Sequence, residues 1–101
     1  MISKDGKKIR FADKQRLHVA FFHPEVFRDV SKIEATLKEP DLIAKGSERS
    51  IEIYYRYFEK TVVGGKYLAV VVKLTNGEGF ILTAYFTSRT KKVITWRKER
   101  S

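Results

Sequence analysis

The chain has 101 residues, 43% of them hydrophobic and 13% aromatic, which fits a single compact domain spanning 1–101 and leaves no room for a second of ordinary size. Its 21 Lys and Arg against 12 Asp and Glu give a net charge of +9, a surplus that points to polyanionic partners, nucleic acid first and an anionic membrane surface second. Cysteine is absent, so disulfides, thiolate catalysis and cysteine-bound zinc are excluded, and no apolar run approaches the roughly 20 residues a membrane span requires.

The charge is uneven. Residues 1–23 carry +4, residues 24–50 carry −1 and residues 51–101 carry +6. The segment Met1–Arg10 is charged and lacks the apolar core of a signal peptide. Together with the missing cysteine this leads us to expect a cytoplasmic protein with no membrane partner.

Lys7–Phe11 reads as a short first strand after the turn-like Lys4-Asp5-Gly6. Asp13 is a candidate N-cap for a helix over Lys14–Phe22, with Leu17, Ala20 and Phe21 on one side and His18 on its flank. Pro24 suits a first helical position, where its missing N–H has no partner to lose, and Glu25 favours the positive end of the helix. Val26/Phe27, Val30, Ile33 and Leu37 recur at helical spacing, and Pro40 stops the pattern, so a second helix is expected over about 24–38. His23 falls at its N-cap.

Strand patterns follow. Leu42-Ile43 begins a short one, and Ile51–Phe58 is dense in β-branched and aromatic residues. Lys66–Leu74 and Gly79–Thr87 flank Asn76-Gly77, a hairpin signal, and Val93–Trp96 is the last candidate. The order predicts an α+β domain: a short strand, two helices, then an antiparallel meander of four to five strands with the helices on one face. Strict alternation places an aliphatic face under the helices. It gathers Tyr54, Arg56, Lys73, Thr83, Tyr85 and Arg97 on an opposite face expected to be open.

Those residue types suit one chemistry. RNA is cut without metal when its 2′-hydroxyl attacks the adjacent phosphorus. That step needs one group to take a proton, another to give one, and cations to hold the charge that develops. Histidine suits the proton transfers, arginine grips phosphate through paired hydrogen bonds, and tyrosine donates a proton or stacks on a base. His23 borders two helices and is the stronger candidate; its plainer reading is a cap. His18 on a short helix is otherwise structural or solvated. Arg56 is otherwise a stacked surface arginine, Thr83 and Tyr85 ordinary strand formers, and Lys66 a solvated strand end. Arg89, Lys91, Lys92, Arg97, Lys98 and Arg100 form a basic run around Trp96, suited to phosphate contact and stacking or simply to a soluble edge. Two histidines without carboxylates at ligand spacing make no metal site, and no cofactor is expected.

The segments RLHVAFFHPEV, IEATLKEPDLI, YYRYF, GKYLAVVVKL and ILTAYFTSRTKKVITW occur in that order between about Ile9 and Trp96. In combination they resemble the phage-associated branch of the barnase–EndoU–colicin–RelE-like nuclease superfamily. The resemblance implies a small metal-independent ribonuclease fold, toxin-like or phage-linked, acting on RNA; a toxin would have a cognate inhibitor protein as a second partner. Carried across, it places catalytic roles on His18, His23, Arg56, Lys66, Thr83 and Tyr85. Nucleic-acid contacts are expected from Tyr54, Lys73, Arg89, Lys91, Lys92, Trp96 and Arg97. Two rival readings stay open: a non-catalytic RNA- or DNA-binding module using the same face, and a structural or protein-interaction domain whose charge serves only solubility.

Overall fold

The computed structural model describes residues 1–99; Arg100, the last cation of the basic run, lies outside them. The elements are β1 (Lys8–Arg10), α1 (Asp13–Phe22), α2 (Pro24–Phe27), α3 (Val30–Lys38), β2 (Leu42–Lys45), β3 (Ile51–Phe58), β4 (Lys66–Thr75), β5 (Glu78–Thr87) and β6 (Ile94–Arg97). They form an α+β fold around one sheet of order β1-β5-β4-β3-β2-β6. The sheet has six strands and is mixed, where four to five antiparallel strands were expected: β1 runs parallel to β5, with Ile9 opposite Gly79. That pairing joins residues far apart in sequence, which local alternation cannot register. Gly79 is required there, because a Cβ would lie 2.6 Å from the Ile9 side chain and 3.0 Å from that of Val72.

Among the described residues there are three helices rather than two. The 24–38 pattern is interrupted at Asp29, which leaves helical geometry (φ −138°, ψ 81°). Its carboxylate bonds to Ser31 Oγ and, at 2.9 Å, to Lys32 Nζ. A short acidic side chain that bonds to neighbouring side chains competes with helix continuation. Those two hydrogen bonds hold the Asp29 carboxyl below the usual carboxylate range. Pro24 opens α2 as expected, and Lys38 in the last turn of α3 complements the helix dipole.

One face of the sheet meets the helices. Ile43, Tyr54, Leu68, Val70, Val72, Ile81 and Ala84 pack there with Val19, Ile33 and Leu37. The other face holds a second buried group made of Leu42, Ala44, Ile53, Tyr55 and Ala69. The expectation of an open, uncovered opposite face is therefore corrected. β5 and β6 lie on opposite sides of β4, β3 and β2, so residues 88–93 must cross the sheet. They cross the face away from the helices, where the Lys91 amide donates to the Tyr55 hydroxyl (3.1 Å) and the Val93 carbonyl accepts from the Lys45 amide (2.8 Å). This strap leaves Tyr55 only 1% exposed.

Two β-bulges decide which side chains face the strap. In β5 the register slips between Val71, opposite Thr83, and Val72, opposite Ile81, so Leu82 is the extra residue. In β6 Ile43 faces Trp96 while Ala44 faces Ile94, so Thr95 is extra. Each bulge reverses the alternation. Ile81 and Trp96 turn to the helix side, while Leu82, Thr83, Tyr85 and Ile94 turn to the strap side.

Candidate active site

β1 pairs with β5 over Lys8–Arg10 alone, so the later part of β5 has no strand on that side. α1 packs along this stretch. Val19 is fully buried in the helix-side core, and His18 just before it and His23 one turn after it reach the sheet rim. His18 Nε2 lies 3.1 Å from Thr83 Oγ1. The His18 and His23 ring centroids are 6.1 Å apart, and the His23 ring is 5.9 Å from that of Tyr85. Phe22 closes the outer side of His18 at 5.0 Å.

The backbone of His23 joins two helices. Its amide donates to the Val19 carbonyl, and its carbonyl accepts from the amides of Val26 and Phe27. Its side chain makes no capping bond to α2. His23 is the N-cap of α2, as expected, but caps through its main chain alone, and the imidazole is left to face Tyr85.

Four of the six expected catalytic residues, His18, His23, Thr83 and Tyr85, therefore meet at one rim. The other two do not join them. Arg56 is opposite Leu68 and so belongs to the helix-side face. Its guanidinium donates to the Glu39 carbonyl (3.1 Å) beyond the end of α3 and lies 5.6 Å from the Phe58 ring centroid. A cation at a helix C-terminus is favoured by the exposed carbonyl dipoles there, which accounts for Arg56 structurally. Lys66, opposite Phe58, is on the same helix-side face at the β3–β4 hairpin. Both roles fall elsewhere because alternation groups residues by face without saying which face the helices cover.

The expected nucleic-acid residues divide in the same way. Tyr54 is 1% exposed in the helix-side core. Burial, with Glu52 and Asp5 nearby, pushes its hydroxyl up to about 12 against the opposing hydrogen bond with Ser3. Trp96 packs on that core beneath Lys4 Nζ, 4.4 Å from its ring centroid. Neither offers a ring to a base. Arg89, Lys91 and Lys92 are exposed on the strap, Arg97 is exposed on β6, and Lys73 is exposed opposite Ile51 on the strap side.

The strap divides its face into two grooves. One, of about 470 Å³, is lined by Lys45, Gly46, Ser47, Ile51, Ile53, Val71, Leu82, Thr83 and Lys91. Thr83 belongs to both this groove and the histidine cluster. Lys91 is an exposed cation along it; Lys45, opposite Glu52 and so in the helix-side row, adjoins the groove at the end of β2. The second groove, of about 720 Å³, is lined by Asp41, Leu42, Tyr57, Tyr67, Arg97, Lys98 and Glu99. Between them Tyr55 anchors the strap; burial and the nearby Tyr85 raise its hydroxyl pKa, opposed by the Lys91 amide.

Two imidazoles, a hydroxyl bonded to one of them and a phenol against the other can transfer two protons across a single reacting centre. No helix among the described residues is long and apolar enough to cross a membrane. No family model, no curated protein and no solved structure matches the chain.

Proposed function

We propose that this protein cleaves RNA without a metal ion, at the rim where α1 meets β5. The observation that carries the reading is the His18–His23 pair, with ring centroids 6.1 Å apart and Thr83 hydrogen-bonded to one ring. In the reaction the ribose 2′-oxygen forms a bond to phosphorus and the 5′-oxygen leaves on the opposite side. One imidazole takes the 2′-hydroxyl proton and the other delivers a proton to the departing 5′-oxygen, so the products are a 2′,3′-cyclic phosphate and a 5′-hydroxyl. Acid and base must flank the phosphate, and two rings separated by about the width of that group meet the requirement.

Thr83 and Tyr85 position the rings. The charge developing on phosphate falls to Lys91, which lines the adjoining groove, in place of Arg56 and Lys66. The reading agrees with the resemblance to the barnase–EndoU–colicin–RelE-like superfamily and keeps its toxin-like or phage-linked role as part of the proposal.

The test is incubation of end-labelled RNA with pure protein in excess chelator. Cleavage that leaves cyclic phosphate ends, and that falls at least about 100-fold in both His18→Ala and His23→Ala, is expected. RNA left intact by the wild-type protein, or cut by either variant at the wild-type rate, would remove the proposal. The alternative of a binding module without chemistry uses the same groove and predicts salt-dependent retention of intact RNA.

A further inference from the structure

We infer that the second groove, on the far side of the strap from the histidines, binds an unpaired nucleobase of a single-stranded nucleic acid. Tyr57 and Tyr67 carry it. They sit opposite each other on β3 and β4, with ring centroids 5.4 Å apart and planes at 75°. Tyr67 is braced on its other side by buried Tyr55, at 6.2 Å and 82°. The three rings therefore form an edge-to-face row that begins in the core and ends at Tyr57, which is 48% exposed. A large aromatic left half-exposed at the end of a rigid row is a stacking surface, because every base offers a flat face to it and no sequence match is needed.

Two further features suit this ligand rather than an apolar one. Arg97 and Lys98 line the same groove and supply cations for the phosphates on either side of the stacked base; of the two carboxylates there, Asp41 accepts from the Tyr57 amide (2.7 Å) and Glu99 follows Lys98. The Tyr57 ring is also given its place by the chain: any side chain at Gly65 would run into the Tyr57 hydroxyl. Tyr57 continues the strap-side row of Ile53 and Tyr55, and Tyr67 is opposite Thr87, two residues along β5 from Tyr85. A strand with one base on Tyr57 thus runs past the strap cations Arg89, Lys91 and Lys92 toward the histidine rim. The site stands whether or not that rim cleaves RNA.

The experiment uses a short, dye-labelled oligodeoxyadenylate, which has no 2′-hydroxyl and so cannot be cut by the proposed reaction. It also uses an abasic strand of equal length and a duplex. Anisotropy should show the oligodeoxyadenylate bound more tightly than either comparison. Tyr57→Ala should weaken it about tenfold, Tyr57→Trp should restore it, and Arg97→Ala should weaken it and flatten its salt dependence. His18→Ala should bind as wild type, which separates this site from the cleavage proposal. Equal affinity for the abasic strand, no binding by the wild-type protein, or a folded Tyr57→Trp as weak as Tyr57→Ala overturns the inference. Should Tyr57→Ala melt early, Gly65→Ala, which displaces the same ring, provides the loss of affinity to be compared with Tyr57→Trp.

Discussion

Thr83 and His18, separated by 65 residues in sequence, are joined by a 3.1 Å contact between Oγ1 and Nε2. The contact exists because Leu82 bulges out of β5. Were Leu82 paired opposite Val71 in a regular ladder, Thr83 would stand opposite Val70 and turn toward the helix-side core. A local irregularity next to a site re-aims a side chain, and here it turns a hydroxyl toward an imidazole.

Thr83→Val removes the hydroxyl and keeps the shape. A hydrogen bond of this kind contributes about 1 kcal/mol, so cleavage should slow by up to about tenfold, with melting nearly unchanged because Thr83 is half-buried. A rate equal to wild type would show that Thr83 does not orient His18.

The strap depends on few bonds. Tyr55→Phe removes the acceptor for the Lys91 amide and should cost about 1–2 kcal/mol of local stability. Arg89, Lys91 and Lys92 lie on this segment, so trypsin reads its opening directly. Faster cleavage at these three positions, under conditions where the rest of the chain resists digestion, is the expected result. Unchanged digestion would show that the Tyr55 hydroxyl does not hold the strap.

Much of the element order follows from local residues. Pro24 opens α2 and Pro40 follows the end of α3, and Asn76-Gly77 forms the β4–β5 turn, with Gly77 at φ +78°. What alternation misplaces is the side of the sheet. Tyr54 and Arg56 read as polar-face residues because their hydroxyl and guanidinium look out of place in a core. Tyr54, however, finds Ser3 and Arg56 finds the Glu39 carbonyl, so both are satisfied against the helices. The bulges at Leu82 and Thr95 shift the parity of β5 and β6, and a period of two cannot anticipate them. The site itself is half legible. His18, His23, Thr83 and Tyr85 come together, while the strap that brings Lys91 over Tyr55 is a product of long-range contact.

Alkaline pH probes the buried phenols. Tyr54 is raised from 10.0 to about 12, and Tyr55 is raised as well. Between those values the unfolded chain has ionised Tyr54 while the folded chain has not, so the folded state binds more protons. The contribution is fully present below about pH 10 and is lost as pH rises through the folded value. Denaturant midpoints measured across this range should fall more steeply for the wild type than for Tyr54→Phe. Parallel slopes would mean that Tyr54 ionises as easily in the fold as out of it.

The placement of both imidazoles traces to one valine. Val19 is fully buried, whereas Leu17, Phe21 and Phe22 of the same helix are 72%, 79% and 62% exposed. Among the described residues of α1, Val19 alone is buried. Val19→Ala removes two methyl groups from the core and should cost about 2 kcal/mol. The larger effect should be local. Hydrogen exchange in α1 should rise more than in β3 or β4, because α1 then has little to hold it against β5. Cleavage should fall along with α1 protection, since the histidines at the start and end of the Val19 turn lose their registration with Thr83 and Tyr85. A variant whose exchange rises equally in α1 and in the central strands would show that Val19 supports the fold as a whole rather than the position of the two rings.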